Sequence, residues 1–178
     1  LIPYDPKPRT ETGRQDASST ERMCFSCHDG FMLDSRSTWK GGHGHPVGVA
    51  PSDKVKIPTA DGKVVFPLND DGKLYCGSCH TAHGVDWSSK VSPRFLREKN
   101  VDSSICIACH LDQGALKKGG NHPLFRSVKS LPGVLAQAGG RLGGENGVIC
   151  QSCHRVHGAG EKKLLVAGLW TETCIALP

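Results

Sequence analysis

The stretch 76-CGSCHTAHG-84 places two cysteines and two histidines within eight residues, and 150-CQSCHRVHG-158 repeats it almost letter for letter. Two shorter words, 24-CFSCH-28 and 106-CIACH-110, carry the same five-residue core without the second histidine. Together these four words take eight of the nine cysteines in the chain. The fold depends on how they are read, because the rest of the sequence offers little with which to build an interior. Of its 178 residues only 37% are hydrophobic and 6% aromatic, whereas Gly (22) and Pro (11) are plentiful. That supply is thin for a conventional core, so something other than side chains is expected to fill the middle.

Three chemistries use C-x-x-C. It can supply thiolates to a tetrahedral zinc, act as a thioredoxin-like redox pair, or, with histidine directly after it, attach a c-type haem. Geometry favours the third. Cysteines at i and i+3 of one helical turn lie on one side and can form two thioethers to the vinyl groups, and histidine at i+4 follows on the same face as proximal iron ligand. Zinc does not require histidine immediately after the second cysteine, yet it follows all four times. The expected attachment residues are Cys24, Cys27 and His28; Cys76, Cys79 and His80; Cys106, Cys109 and His110; and Cys150, Cys153 and His154. They imply four haem c groups. Cysteines used as thioethers do not form a disulfide framework, and covalent haem attachment outside the cytoplasm implies an exported protein, periplasmic or extracellular.

Five histidines lie outside these words, and an internal repeat sorts them. One copy, approximately 24–84, runs from 24-CFSCH-28 through His45-Pro46 to 71-DGKLYCGSCHTAHG-84. The other, 106–158, runs from 106-CIACH-110 through His122-Pro123 to 146-NGVICQSCHRVHG-158. His45 thus matches His122, and His83 matches His157. These four number the same as the sixth ligands that four irons need. His43 stands opposite a glycine in 118-KGGNHP-123 and is either a spare surface residue or a ligand to a neighbouring molecule. His83, three residues after His80, cannot reach the opposite face of the same porphyrin, so it and His157 are expected to serve neighbouring haems. The simplest assignment exchanges ligands within each copy: His83 to the first haem, His45 to the second, His157 to the third and His122 to the fourth. Ligation of His83 to the third haem is an open alternative. Neither Met23 nor Met32 is well placed as an axial ligand. All-histidine ligation leaves no open iron position, which argues against an enzyme acting on nitrite, hydroxylamine or peroxide.

The formal charge of +5 invites a nucleic-acid or anionic-membrane reading, but the basic residues do not cluster. Lys117-Lys118 and Lys162-Lys163 are short pairs typical of solvated surface. Eight haem propionates would offset the excess and bring the holoprotein close to neutral, so no nucleic-acid partner is expected. No apolar run is long enough to span a membrane. The start, 1-LIPYDPKPR-9, lacks a basic-then-apolar leader, and a signal peptide is expected to have been removed. Residues 1–15 read as an extended arm.

The expected fold class is mostly irregular coil with short α-helices and a β-hairpin, a single domain built around four haems in a row. Helical turns should carry the attachment words, Ser19 or Thr20 capping the first and Gly30 ending it. The segment 54-KVKIPTADGKVVF-66 reads as a hairpin about Asp61-Gly62, and 127-SVKSLPGVLAQA-138 as a short helix after Pro132 closed by Gly139-Gly140. Trp39, Trp87, Trp170, Phe95 and Phe125 are expected to pack on porphyrin. Near the end, 171-TETCIALP-178 imitates 103-SSICIACH-110, which makes Cys174 the relic of an incomplete fifth word, either buried and inert or an interchain contact.

The four C-x-x-C-H words, the two C-x-x-C-H-x-x-H-G extensions and the His-Pro elements resemble the paired-motif multihaem c-type cytochromes, over residues 24–158. Among these the chain is similar to small cytochromes that polymerise into extracellular filaments, and to soluble periplasmic shuttles. The resemblance implies electron transfer, with copies of itself and redox proteins as partners. Filament relatives pass a histidine between subunits, a role for which His43 is the candidate, since no histidine precedes residue 28. A multihaem reductase is the other reading, and it would need a ligand-free iron.

Overall fold

Among the described residues the helices are single turns, and three of them stand in the cysteine words. The computed structural model describes residues 23–25, 28, 43–60, 63–81, 95–98, 100–114 and 124–168. Helix α1 is Cys76–Cys79, α2 is Ser104–Ile107, α3 is Leu111–Gly114, α4 is Gly133–Gln137 and α5 is Cys150–Cys153. An i→i−4 bond spans five residues, and each word supplies five. In all three fully described words the histidine N–H closes that bond onto the first cysteine. His80 donates to the Cys76 carbonyl at 3.0 Å, His110 to Cys106 at 2.9 Å and His154 to Cys150 at 2.9 Å. His80 and His154 are themselves extended, at φ −112° and −116°, so each turn stops as its histidine departs. In these two words the helical turn therefore ends at the second cysteine.

Helix α4 starts after Pro132, whose missing N–H costs nothing at a helix start, and ends where Gly139 takes φ +90°. Gly140 then donates to the Leu135 carbonyl at 2.8 Å. Strands are almost absent from the described residues. Thr59–Ala60 (β1) and Lys63–Val64 (β2) pair antiparallel over two residue pairs, with one further bond from Val65 to the Pro58 carbonyl. The hairpin expected over 54–66 is thus reduced to a minimal ladder and is not supported as an element. Pro58 has no N–H with which to extend it. The described part is mostly coil with a few short helices.

The coil is ordered by hydrogen bonds that recur at matching places in the two copies. Gly48 donates to Leu74 and Leu74 to Val49; Phe125 donates to Val148 and Val148 to Arg126. In each case the first donor stands three residues after the histidine of a His-Pro pair and has positive φ, 73° at Gly48 and 64° at Phe125. Beyond the words, Thr81 donates to Phe95 and Arg97 to Cys79, while Arg155 donates to Leu164 and Val166 to Cys153. Phe95 and Leu164 again share positive φ, 57° and 61°.

Apolar burial is sparse. The buried hydrophobic residues among those described are Phe25, Phe66, Leu124, Leu135, Val148, Ile149 and Ala159. Phe95 and Phe125, expected against a cofactor, are 41% and 48% exposed in the protein chain alone. Trp39, Trp87, Trp170, Cys174, Ser19, Thr20, Gly30 and the arm at 1–15 lie outside the described residues. No helix among the described residues is long and apolar enough to cross a membrane.

Candidate functional site

A short turn exposes backbone donors and acceptors that must be satisfied, and here serine hydroxyls do it. The Ser78 hydroxyl accepts the Tyr75 N–H at 3.1 Å and donates to the Pro67 carbonyl at 2.6 Å. Ser152 does the same with Ile149 at 3.0 Å and Arg141 at 2.7 Å. Both side chains are fully buried. Each ties its word to backbone eleven residues earlier, so the two turns are anchored alike. These serines are structural supports that the motif reading of the words left out, although their recurrence in CGSCH and CQSCH was a legible signal. In the third word Ala108 stands at that position. There the preceding Ser103, also buried, accepts the Cys150 N–H at 2.8 Å and links the third word to the fourth.

The words converge. The Cys106 and Cys150 thiols are hydrogen-bonded to each other. That bond pulls Cys150 down to about 6, and the Cys106 thiol is pushed up by the same contact and by burial. Burial, and then the neighbouring Cys109, also raises Cys79. Cys24, Cys76, Cys79, Cys106, Cys109, Cys150 and Cys153 are all partly buried, and no disulfide joins them. Cys27, His83 and His122 lie outside the described residues.

The histidines come together in pairs. The His80 and His157 rings lie 6.2 Å apart between centroids, 22° from parallel. The His45 and His110 rings are 6.0 Å apart, at 75°. Within-copy exchange would instead have set His45 against His80 and His157 against His110. Burial lowers the pKa of both His45 and His157, with the facing histidine adding to the effect, so both stay neutral with a lone pair to donate. His154 sets its Nδ1 2.9 Å from the Lys163 carbonyl, and His45 has Nδ1 3.3 Å from the Pro46 carbonyl. A ring held through Nδ1–H presents Nε2 as a ligand. His28 is partly buried, whereas the exposed His43 is held by its backbone, exchanging two 2.7 Å hydrogen bonds with Ala159.

Two facing imidazoles can hold one metal ion between them. A metal–nitrogen bond of about 2.0 Å on each side, with about 1.1 Å from nitrogen to ring centre, spans roughly 6 Å. Both pairs have that separation. Among the described residues no three His, Cys, Asp or Glu side chains gather as a metal cluster. A structural zinc needs four such donors, whereas a haem iron draws two from the protein. No family model, curated protein or solved structure matches the chain.

Proposed function

We propose that this chain is a tetrahaem c-type cytochrome that transfers electrons and catalyses no reaction of its own. The observation that carries the reading is the conjunction of four C-x-x-C-H words with imidazole pairs at 6.0 and 6.2 Å, the span of one axially ligated iron. Cys24, Cys27, Cys76, Cys79, Cys106, Cys109, Cys150 and Cys153 would hold the haems by thioethers, and His28, His80, His110 and His154 would be the proximal ligands. Bound haem supplies a one-electron iron couple, with bis-histidine ligation favouring lower potentials than Met/His ligation. The chain's part would be to offer neutral imidazoles to each iron and to hold the attachment words close together. The thin apolar core, with seven buried hydrophobic residues described, accords with an interior completed by four haems.

Mass spectrometry of the protein from an exporting host with haem-maturation machinery tests this. We expect a mass increase of four haems that survives denaturation, and no carbon monoxide binding by the reduced protein. A zinc-loaded, haem-free product would overturn the reading, and rapid carbon monoxide binding would favour a reductase. Assembly into an extracellular filament is the finer form of the proposal, supported by the tandem repeat, the fifth-word relic at Cys174 and the exposed His43 side chain. Negative-stain microscopy of the haem-loaded protein should show uniform filaments. Discrete particles of monomer size would make it a diffusing periplasmic carrier.

A further inference from the structure

We infer that the sixth ligands are exchanged between the two copies of the repeat, an assignment that rests on the tetrahaem reading. His45, from the first copy, completes the iron held by His110 of the second. His157, from the second copy, completes the iron held by His80 of the first. Ring geometry carries this, at 6.0 Å and 6.2 Å.

The backbone supports it independently of any metal. Residues 43–45 lie antiparallel to 156–159, with His43 and Ala159 exchanging N–H···O=C bonds and the His45 N–H donating to the Val156 carbonyl at 2.8 Å. One piece of extended backbone therefore fastens the segment bearing His45 to the loop bearing His157. Both crossing histidines are set by that single seam. The seam also gives the close approach of 43-HGH-45 to the second copy a structural purpose: the His43 main chain holds the register in which His45 reaches across. Gly44 lies beside the Val156 carbonyl, where a Cβ would still fit, so register and not space is what the pairing controls.

The consequence is that neither copy by itself completes the iron at His80 or the iron at His110. The second and third haem sites each take one axial ligand from either side, so these centres form only when the copies dock. The two sites should also differ in kind. Near-parallel axial imidazoles, as at His80 and His157, give ordinary rhombic low-spin ferric spectra. Near-perpendicular ones, as at His45 and His110, give strongly anisotropic low-spin signals with a large maximum g value.

The test is a double-mutant cycle on the full-length haem-loaded protein. His45→Ala alone should open one iron per chain to carbon monoxide. In a background whose third word is removed (Cys106→Ala, Cys109→Ala, His110→Ala), adding His45→Ala should open none, because the iron it serves is gone. Opening of an iron in that background would overturn the exchange, since His45 would then serve another haem. Should the multiple variant fail to mature, electron paramagnetic resonance of the untouched holoprotein decides. A large-g signal that His45→Ala removes and added imidazole restores supports the pairing; four ordinary rhombic signals overturn it. A chain without covalent haem would instead defeat the cytochrome reading itself.

Discussion

Ser152 is not among the expected ligands, yet its hydroxyl ties its word down. Its hydroxyl satisfies the Ile149 N–H and the Arg141 carbonyl in a place water does not reach. Ser152→Ala strands both backbone groups and should lower the unfolding free energy of the holoprotein by about 1–3 kcal/mol in urea titration. The exposed control Ser130→Ala should change it by less than about 0.5 kcal/mol. Equal effects from the two would mean that the buried hydroxyl carries no special weight. The histidines illustrate the same scale differently. His45 and His157 are kept neutral mainly by burial, whereas His154 is oriented by a backbone carbonyl. The sequence marked His154 as a candidate ligand because it directly follows C-x-x-C, and His45 and His157 because they recur at matching places in the two copies. It said nothing of how they are held, since a carbonyl nine residues away leaves no trace in a motif.

At the scale of elements, local chemistry explains what forms and what does not. Pro132 and Gly139 bound α4 where the sequence places a short helix. Pro58, which has no N–H to donate, stands at the end of the short ladder formed where the sequence reads as a hairpin about Asp61-Gly62. Packing between elements depends on Gly140, which the sequence offered only as a helix terminator. A Cβ at Gly140 would overlap the carbonyl oxygens of Ser152 and Leu135, both backbone atoms that cannot step aside cheaply. Gly140→Ala should therefore push α4 off α5 and cost about 1–3 kcal/mol, read as a fall of roughly 2–4 °C in Tm per kcal/mol. Gly144→Ala, whose added carbon meets nothing within 4 Å, serves as the comparison and should shift Tm far less. The reverse ranking would show that the two elements are not packed as described.

At the scale of the molecule, the repeat extends the ligand exchange to its other half. His122 corresponds to His45 and His83 to His157, so His122 should complete the iron of His28 and His83 that of His154. His83 and His122 lie outside the described residues, and this extension rests on the repeat in the sequence. His122→Ala should open one iron to carbon monoxide in the full-length holoprotein, and open none once the first word is removed (Cys24→Ala, Cys27→Ala, His28→Ala). An iron opened in that second background would confine the exchange to the His45 and His157 pair.

The sequence by itself determined the four C-x-x-C-H words, the supply of histidines and the coil-rich class, and it displays the two-copy repeat. Those follow from covalent chemistry and short-range geometry, which need only residues within a turn of one another. Which histidine faces which was decided by the tertiary structure alone. The within-copy and between-copy assignments use the same residues at the same spacings. They are separated by the backbone seam of 43–45 against 156–159, more than a hundred residues apart along the chain. Such a pairing is set by the docking of the two copies, and no local pattern encodes it.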